Sequence, residues 1–231
     1  LTFLTLLMTE NNFENYSWPT NVSETITDVF GDERSRRFHA GIDIRTYGQI
    51  GKEIYAVQSG YISRIVISPN GYGKALYLKL YDGNTVLYAH LDKFHPYIEE
   101  KVRKIIEESK NNFIDYYLSK NKIKFKKGDI IGYTGDTGSL SGPHLHFEIR
   151  NKKGKPINPF NDYFSISDSL RPTAHSIAFI PLDNSCLING VQDYVLFNLI
   201  KTNEYKYVLL DTVSVIGNFG LAVNVIDKIN N

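Results

Sequence analysis

From Phe38 onward the apolar residues recur mostly in short runs at every second position, the spacing of half-buried strands. Glycines punctuate the runs. Gly41, Gly48, Gly51 and Gly60 divide the stretch from Phe38 to Ile67 into close-set strands and turns. Asn70 to Gly73 reads as a turn, and Ala75–Leu80 as a strand. Asp82-Gly83 marks a tight hairpin whose return strand is Thr85–Leu91. The rhythm changes after residue 93. Ile98, Val102, Ile105, Ile106, Phe113 and Tyr117 recur at helical spacing with Glu and Lys between them, which predicts one or two amphipathic helices inserted over about 93–124. Period two resumes at Gly128-Asp129, passes through a glycine-rich turn between Gly132 and Gly142, and ends in His144–Arg150.

Pro156 and Pro159 close this region near Phe164, so 16–164 reads as one domain, and 165–173 as a linker. Residues 174–231 show short Val, Ile and Phe runs separated by turn dipeptides such as Asn189-Gly190. They predict part of a small β-sandwich-like accessory domain, short for a complete one. The apolar start Leu1–Met8, within 1–15, reads as the remnant of a signal peptide or membrane anchor. It is far below the roughly 20 apolar residues a span needs. The expected fold class is therefore mostly β.

Composition narrows the functions. At 42% hydrophobic and 22% charged, the 231 residues can bury a core, and sixteen Tyr with thirteen Phe favour strands. A net charge of +1 offers no broad phosphate-neutralising surface and argues against a nucleic-acid partner. The single cysteine, Cys186, excludes an internal disulfide and a cysteine-based zinc cluster.

Three places carry chemistry. In His144–Arg150, Leu145, Phe147 and Ile149 alternate with His144, His146 and Glu148. One set faces a core; the other puts two imidazoles about 7 Å apart on the opposite face. One can bind a metal while the other reaches a substrate beside it, and Glu148 can orient an imidazole. His39 and Asp43 lie four apart around Gly41, which lets the backbone bend so that imidazole and carboxylate converge, a donor pair suited to zinc. His90 shares a face of its strand with Tyr88, a residue expected to line a groove. Taken singly, each place is weak evidence and more readily structural than functional. Together, two histidines and a carboxylate satisfy three zinc positions and leave a fourth open, the arrangement of catalytic rather than structural sites. No His-Glu-x-x-His helix, Gly-x-Ser-x-Gly elbow or plausible cysteine nucleophile is present.

These pieces resemble a known family. FHAGIDI, GYISRI, GYGKALYL, VLYAHL and KKGDIIGYTGDTGSLSGPHLHFEI, in this order over roughly 16–160, are similar to the LytM/lysostaphin-like zinc endopeptidases of peptidoglycan. The resemblance implies a β-rich antiparallel metallopeptidase core of the duplicated hybrid motif type. It implies zinc on His39, Asp43 and His146, with His90 and His144 catalytic. It further implies hydrolysis of peptide bonds in a cell-wall peptide substrate, and a secreted, periplasmic or cell-envelope location with membrane contact only through an N-terminal anchor. The alternative is a non-catalytic relative that binds and activates other wall hydrolases. The 93–124 insertion and the C-terminal segment depart from the smallest members.

Overall fold

The computed structural model describes residues 16–34, 37–139, 142–165 and 169–227. The expected leader remnant 1–15 lies outside them. The chain divides into two compact units, 1–166 and 167–231.

The first unit runs through β1 (Ile26–Asp28), β2 (Glu33–Arg34), β3 (Arg37–Phe38), β4 (Ile42–Arg45), β5 (Glu53–Tyr55), β6 (Gly60–Ile67), β7 (Lys74–Leu80) and β8 (Thr85–Ala89). It continues with β9 (Leu91–Phe94), α1 (Pro96–Ser109), β10 (Ile114–Tyr117), β11 (Lys124–Phe125), β12 (Ile130–Thr134), β13 (His144–Arg150), β14 (Pro156–Ile157) and α2 (Pro159–Asp162). Among the described residues its main sheet has nine strands in the path β1-β4-β13-β8-β7-β6-β10, with β11 on β6 and β14 on β13. A three-stranded sheet, β5-β12-β9, accompanies it. Every named pairing is antiparallel, so the mostly-β, antiparallel expectation is met.

The core follows from strand alternation. Leu145, Phe147 and Ile149 are fully buried with Ile42, Ile44, Val86 and Tyr88 on neighbouring strands. Each such side chain contributes about 1.5–3 kcal/mol by leaving water. The Tyr88 hydroxyl accepts the Val57 backbone N–H at 3.0 Å, and its ring meets Phe147 edge-on. Tyr88 is thus a core residue and lines no groove.

The inserted helix is α1. Pro96 begins it, where a missing N–H is harmless, and the His95 side chain accepts the Tyr97 N–H at 3.2 Å. Ile98 and Val102 are buried against the core, and the helix stops at Lys110, φ 51°. Helical spacing fails beyond that point. Ile114–Tyr117 extends along β6 as β10, and Phe113 and Tyr117 face solvent. Partners on β6 decide the conformation of this short run, and a periodicity argument cannot see them.

The second unit contains β15 (Thr173–Pro181), β16 (Leu187–Ile188), β17 (Val195–Asn198), β18 (Ile200–Asn203), β19 (Lys206–Val208), β20 (Val215–Ile216) and β21 (Phe219–Ile226). Among the described residues these form an antiparallel sheet β17-β15-β21 and the pairs β16-β20 and β18-β19. Cys186 is buried and free there. No helix among the described residues of either unit is long and apolar enough to cross a membrane.

Candidate metal centre

β13 lies between β4 and β8, and the register fixes the site. His146 is directly opposite Asp43 on one side and Ala89 on the other. Opposed residues share a face, so 103 positions of sequence separation close to a hydrogen bond of 2.8 Å between His146 Nδ1 and Asp43 Oδ1. His39 reaches the same point from the link between β3 and β4. That link lies against β13 only because Gly41 lacks a side chain: a Cβ there would stand 2.2 Å from the Phe147 carbonyl oxygen. His39 Nε2 is 3.2 Å from Asp43 Oδ1 and 3.0 Å from His146 Nδ1.

Thr85–Leu91 is not one strand. The chain breaks at His90, whose φ of 60° is left-handed, and resumes as β9. Such a backbone is uncommon for a non-glycine residue and is held here by its surroundings. The His90 N–H donates to the Tyr72 carbonyl at 3.0 Å, and its Nδ1 lies 2.8 Å from the Thr137 carbonyl oxygen. The turn carries His90 off the alternation that would have sent it toward the core with Tyr88. Its ring lies 4.6 Å from that of His144 and 5.9 Å from that of His146. His144 Nε2 stands 3.8 Å from Asp43 Oδ1. All five residues singled out in the sequence therefore meet in one place.

Each imidazole has one nitrogen against a fixed oxygen. Nδ1 of His39, His90 and His144 lies 2.8 Å from the carbonyls of Val29, Thr137 and Gly142 respectively. His146 is reversed: its Nε2 lies 3.0 Å from Glu148 Oε1. A carbonyl or carboxylate accepts only, so a proton on the anchored nitrogen leaves the other to bind; in His39 and His146 that other nitrogen faces Asp43 Oδ1, at 3.2 and 2.8 Å. Asp43 is held as well, with Arg34 Nη2 at 3.4 Å from Oδ2.

His39 Nε2, Asp43 Oδ1 and His146 Nδ1 thus converge on one point, separated from one another by 2.8–3.2 Å. Two imidazole nitrogens and a carboxylate oxygen at this range form a group that can hold a metal ion. Burial alone would raise the Asp43 carboxyl, but hydrogen bonds with His146 and His39 outweigh it and hold the group well below the usual carboxylate range. Burial likewise disfavours a charged His146, yet hydrogen bonds with Asp43 and Glu148 outweigh it and raise the group. Zinc at about 2.0–2.2 Å from tetrahedral ligands sets their donor atoms roughly 3.3–3.6 Å apart. An expansion of a few tenths of an ångström suffices, and the donor set fits the ion. Burial, reinforced by the neighbouring His144 and His146, lowers His90 to about 4 against the opposing pull of the Thr137 carbonyl. His90 is neutral at ordinary pH.

Two cavities open at the cluster, and Asp43 and His144 line both. One, of about 470 Å³, also has Asp28, Arg45, Tyr47 and Pro143 in its wall. The other, of about 300 Å³, has Arg34, Arg37, Tyr72 and His90. Sequence reasoning missed Arg34 and Tyr72, which no spacing rule connects to the histidines. Arg150, an even number of positions from His146, was within reach of the alternation already used.

Residues 103–159 match Peptidase family M23, a segment that carries His144 and His146 but stops short of His39, Asp43 and His90. The chain is 31% identical over 123 residues to the DD-carboxypeptidase/endopeptidase Mpg of Neisseria meningitidis serogroup B, covering 53% of this chain and 22% of that one. It is 34% identical over 82 residues to the peptidoglycan DD-endopeptidase ShyA of Vibrio cholerae serotype O1, covering 33% and 18%. The chain therefore spans about a fifth of the length of these curated relatives. A zinc-containing peptidase from Vibrio cholerae aligns in structure with a TM-score of 0.47 at 25% identity, over 62% of this chain and 39% of that one. The resemblance to the LytM/lysostaphin-like family, drawn from the motifs, is borne out.

Proposed function

We propose that the first unit is a zinc-dependent endopeptidase acting on the peptides of bacterial cell-wall peptidoglycan, and that it works in the cell envelope or outside the cell. The convergence of His39 Nε2, Asp43 Oδ1 and His146 Nδ1, with two further imidazoles beside them, carries this reading. The names of the relatives, a DD-carboxypeptidase/endopeptidase and a peptidoglycan DD-endopeptidase, support the substrate class. The two cavities flanking Asp43 and His144 support an endopeptidase, since a chain can extend to both sides of the bond being cut.

His39, Asp43 and His146 would hold the metal. Zinc there supplies a Lewis acid that polarises a carbonyl and makes water acidic enough to react near neutral pH. The protein's own part is proton transfer and orientation. His144 and His90 each have Nδ1 pinned to a carbonyl, which leaves Nε2 as the nitrogen that can take up a proton. A neutral imidazole so placed takes a proton from the attacking water as the carbon–oxygen bond forms. The resulting imidazolium stabilises the oxyanion and returns the proton to the amide nitrogen as the carbon–nitrogen bond breaks.

The test separates metal from proton transfer. His144→Ala is expected to retain zinc but to cut purified peptidoglycan about 10²–10⁴-fold more slowly. His146→Ala and Asp43→Ala are expected to lose zinc, and a chelator to silence the parent. Cleavage by His144→Ala at the parental rate overturns the catalytic assignment. A zinc-replete parent that releases no fragment from defined muropeptides, read by mass analysis, favours the non-catalytic activator instead.

A further inference from the structure

One carboxylate in the sheet is fully buried yet lies outside the converging donors. Glu148 has no solvent exposure, and burying a charge is costly unless it is paired and hydrogen-bonded. Its partners satisfy it completely. Oε1 is 3.0 Å from His146 Nε2 and accepts the Tyr72 hydroxyl at 2.5 Å. Oε2 takes Arg150 Nε and Nη2, each at 2.7 Å. Arg150 Nη2 also donates to the Tyr72 oxygen at 3.4 Å, which commits the phenol proton to Glu148 and closes the ring of contacts.

Tyr72 joins both halves of the site. Its ring packs 5.4 Å from that of His146, and its carbonyl holds the His90 N–H. The turn that carries it docks on Thr137 through Gly73, φ 62°, where a Cβ would fall 2.3 Å from the Thr137 backbone. The orientation of His146 is the one that needs such a device. Three imidazoles are anchored at Nδ1 by backbone carbonyls, whereas His146 sits mid-strand and must turn Nδ1 inward.

We propose that Glu148 and Tyr72 are positioning residues that hold His146 as the Nε2–H tautomer with its ring turned so that Nδ1 faces His39 and Asp43. This rests on the reading of His146 as a metal ligand. Arg150 neutralises the far oxygen, so the network is a charge-balanced clamp behind one ligand.

Two measurements on the full chain test it. Long-range proton–nitrogen spectra of histidine-labelled, zinc-loaded protein are expected to show Nε2–H for His146 and Nδ1–H for His39, His90 and His144. Zinc dissociation constants, from competition with a chromophoric chelator, are expected to rise about 10–100-fold in Glu148→Gln. For Tyr72→Phe, which removes one hydroxyl at a partly exposed position and keeps the inference testable if Glu148→Gln fails to fold, the rise is about two- to tenfold. Unchanged zinc affinity in a folded variant, or an Nδ1–H His146 in the parent, overturns the positioning role. A parent that binds no zinc overturns the metal reading itself, a separate outcome read from the same titration.

Discussion

Leu145, Phe147 and Ile149 on one face of β13, and His146 and Glu148 on the other, are almost equally shut off from water, yet different physics holds them there. The apolar face gains by burial itself: it needs shape and volume, and tolerates any neighbour that fills space. The polar face loses by burial and remains only because each atom has a named partner: Asp43 and Glu148 for His146, and Tyr72, Arg150 and His146 for Glu148. One face therefore stores stability, and the other stores a fixed arrangement of lone pairs and charge.

That contrast is open to attack from both sides. The largest expected effect is on the apolar face: Phe147→Ala should lower unfolding free energy by about 3–5 kcal/mol. Denaturant titration of the apoprotein reads the loss, and the fraction that stays folded should bind zinc as the parent does. Weakened zinc binding by the folded variant would show that the two faces are coupled. On the polar face, zinc at a thousandfold excess over its dissociation constant should stabilise the parent by about 4 kcal/mol. Asp43→Ala should gain none of it, a difference visible as the zinc-induced shift in thermal midpoint. Tyr88→Phe comes next. It strips the Val57 N–H of its acceptor, and should cost about 1–3 kcal/mol with KM unchanged; a raised KM would return Tyr88 to the groove wall. Smallest is Phe113→Ser. The ring is exposed, so stability should stay within about 0.5 kcal/mol of the parent, and a larger fall would mean that Phe113 packs on something.

Legibility followed the range of the interactions. The alternation in His144–Arg150 named both faces of β13, because side-chain direction in a strand is local. Pro96 and the spacing of Ile98 and Val102 likewise marked α1. The same reasoning misplaced Tyr117, which extends along β6, and drew Thr85–Leu91 as one strand, because the break at His90 depends on Tyr72 and Thr137 accepting its N–H and Nδ1–H. Arg34 and Tyr72 left no local trace, being joined to Asp43 and Glu148 across the fold.

What the residues determined alone was the inventory: four histidines and a carboxylate of the right chemistry, glycines where strands must turn or touch, and alternation that divides core from site. Their meeting was decided by the sheet. Antiparallel register set Asp43 opposite His146, and a left-handed residue beyond Ala89 brought His90 alongside. Strand pairing is a contact between distant segments, and which two segments pair, and in which register, is settled only when the whole core packs.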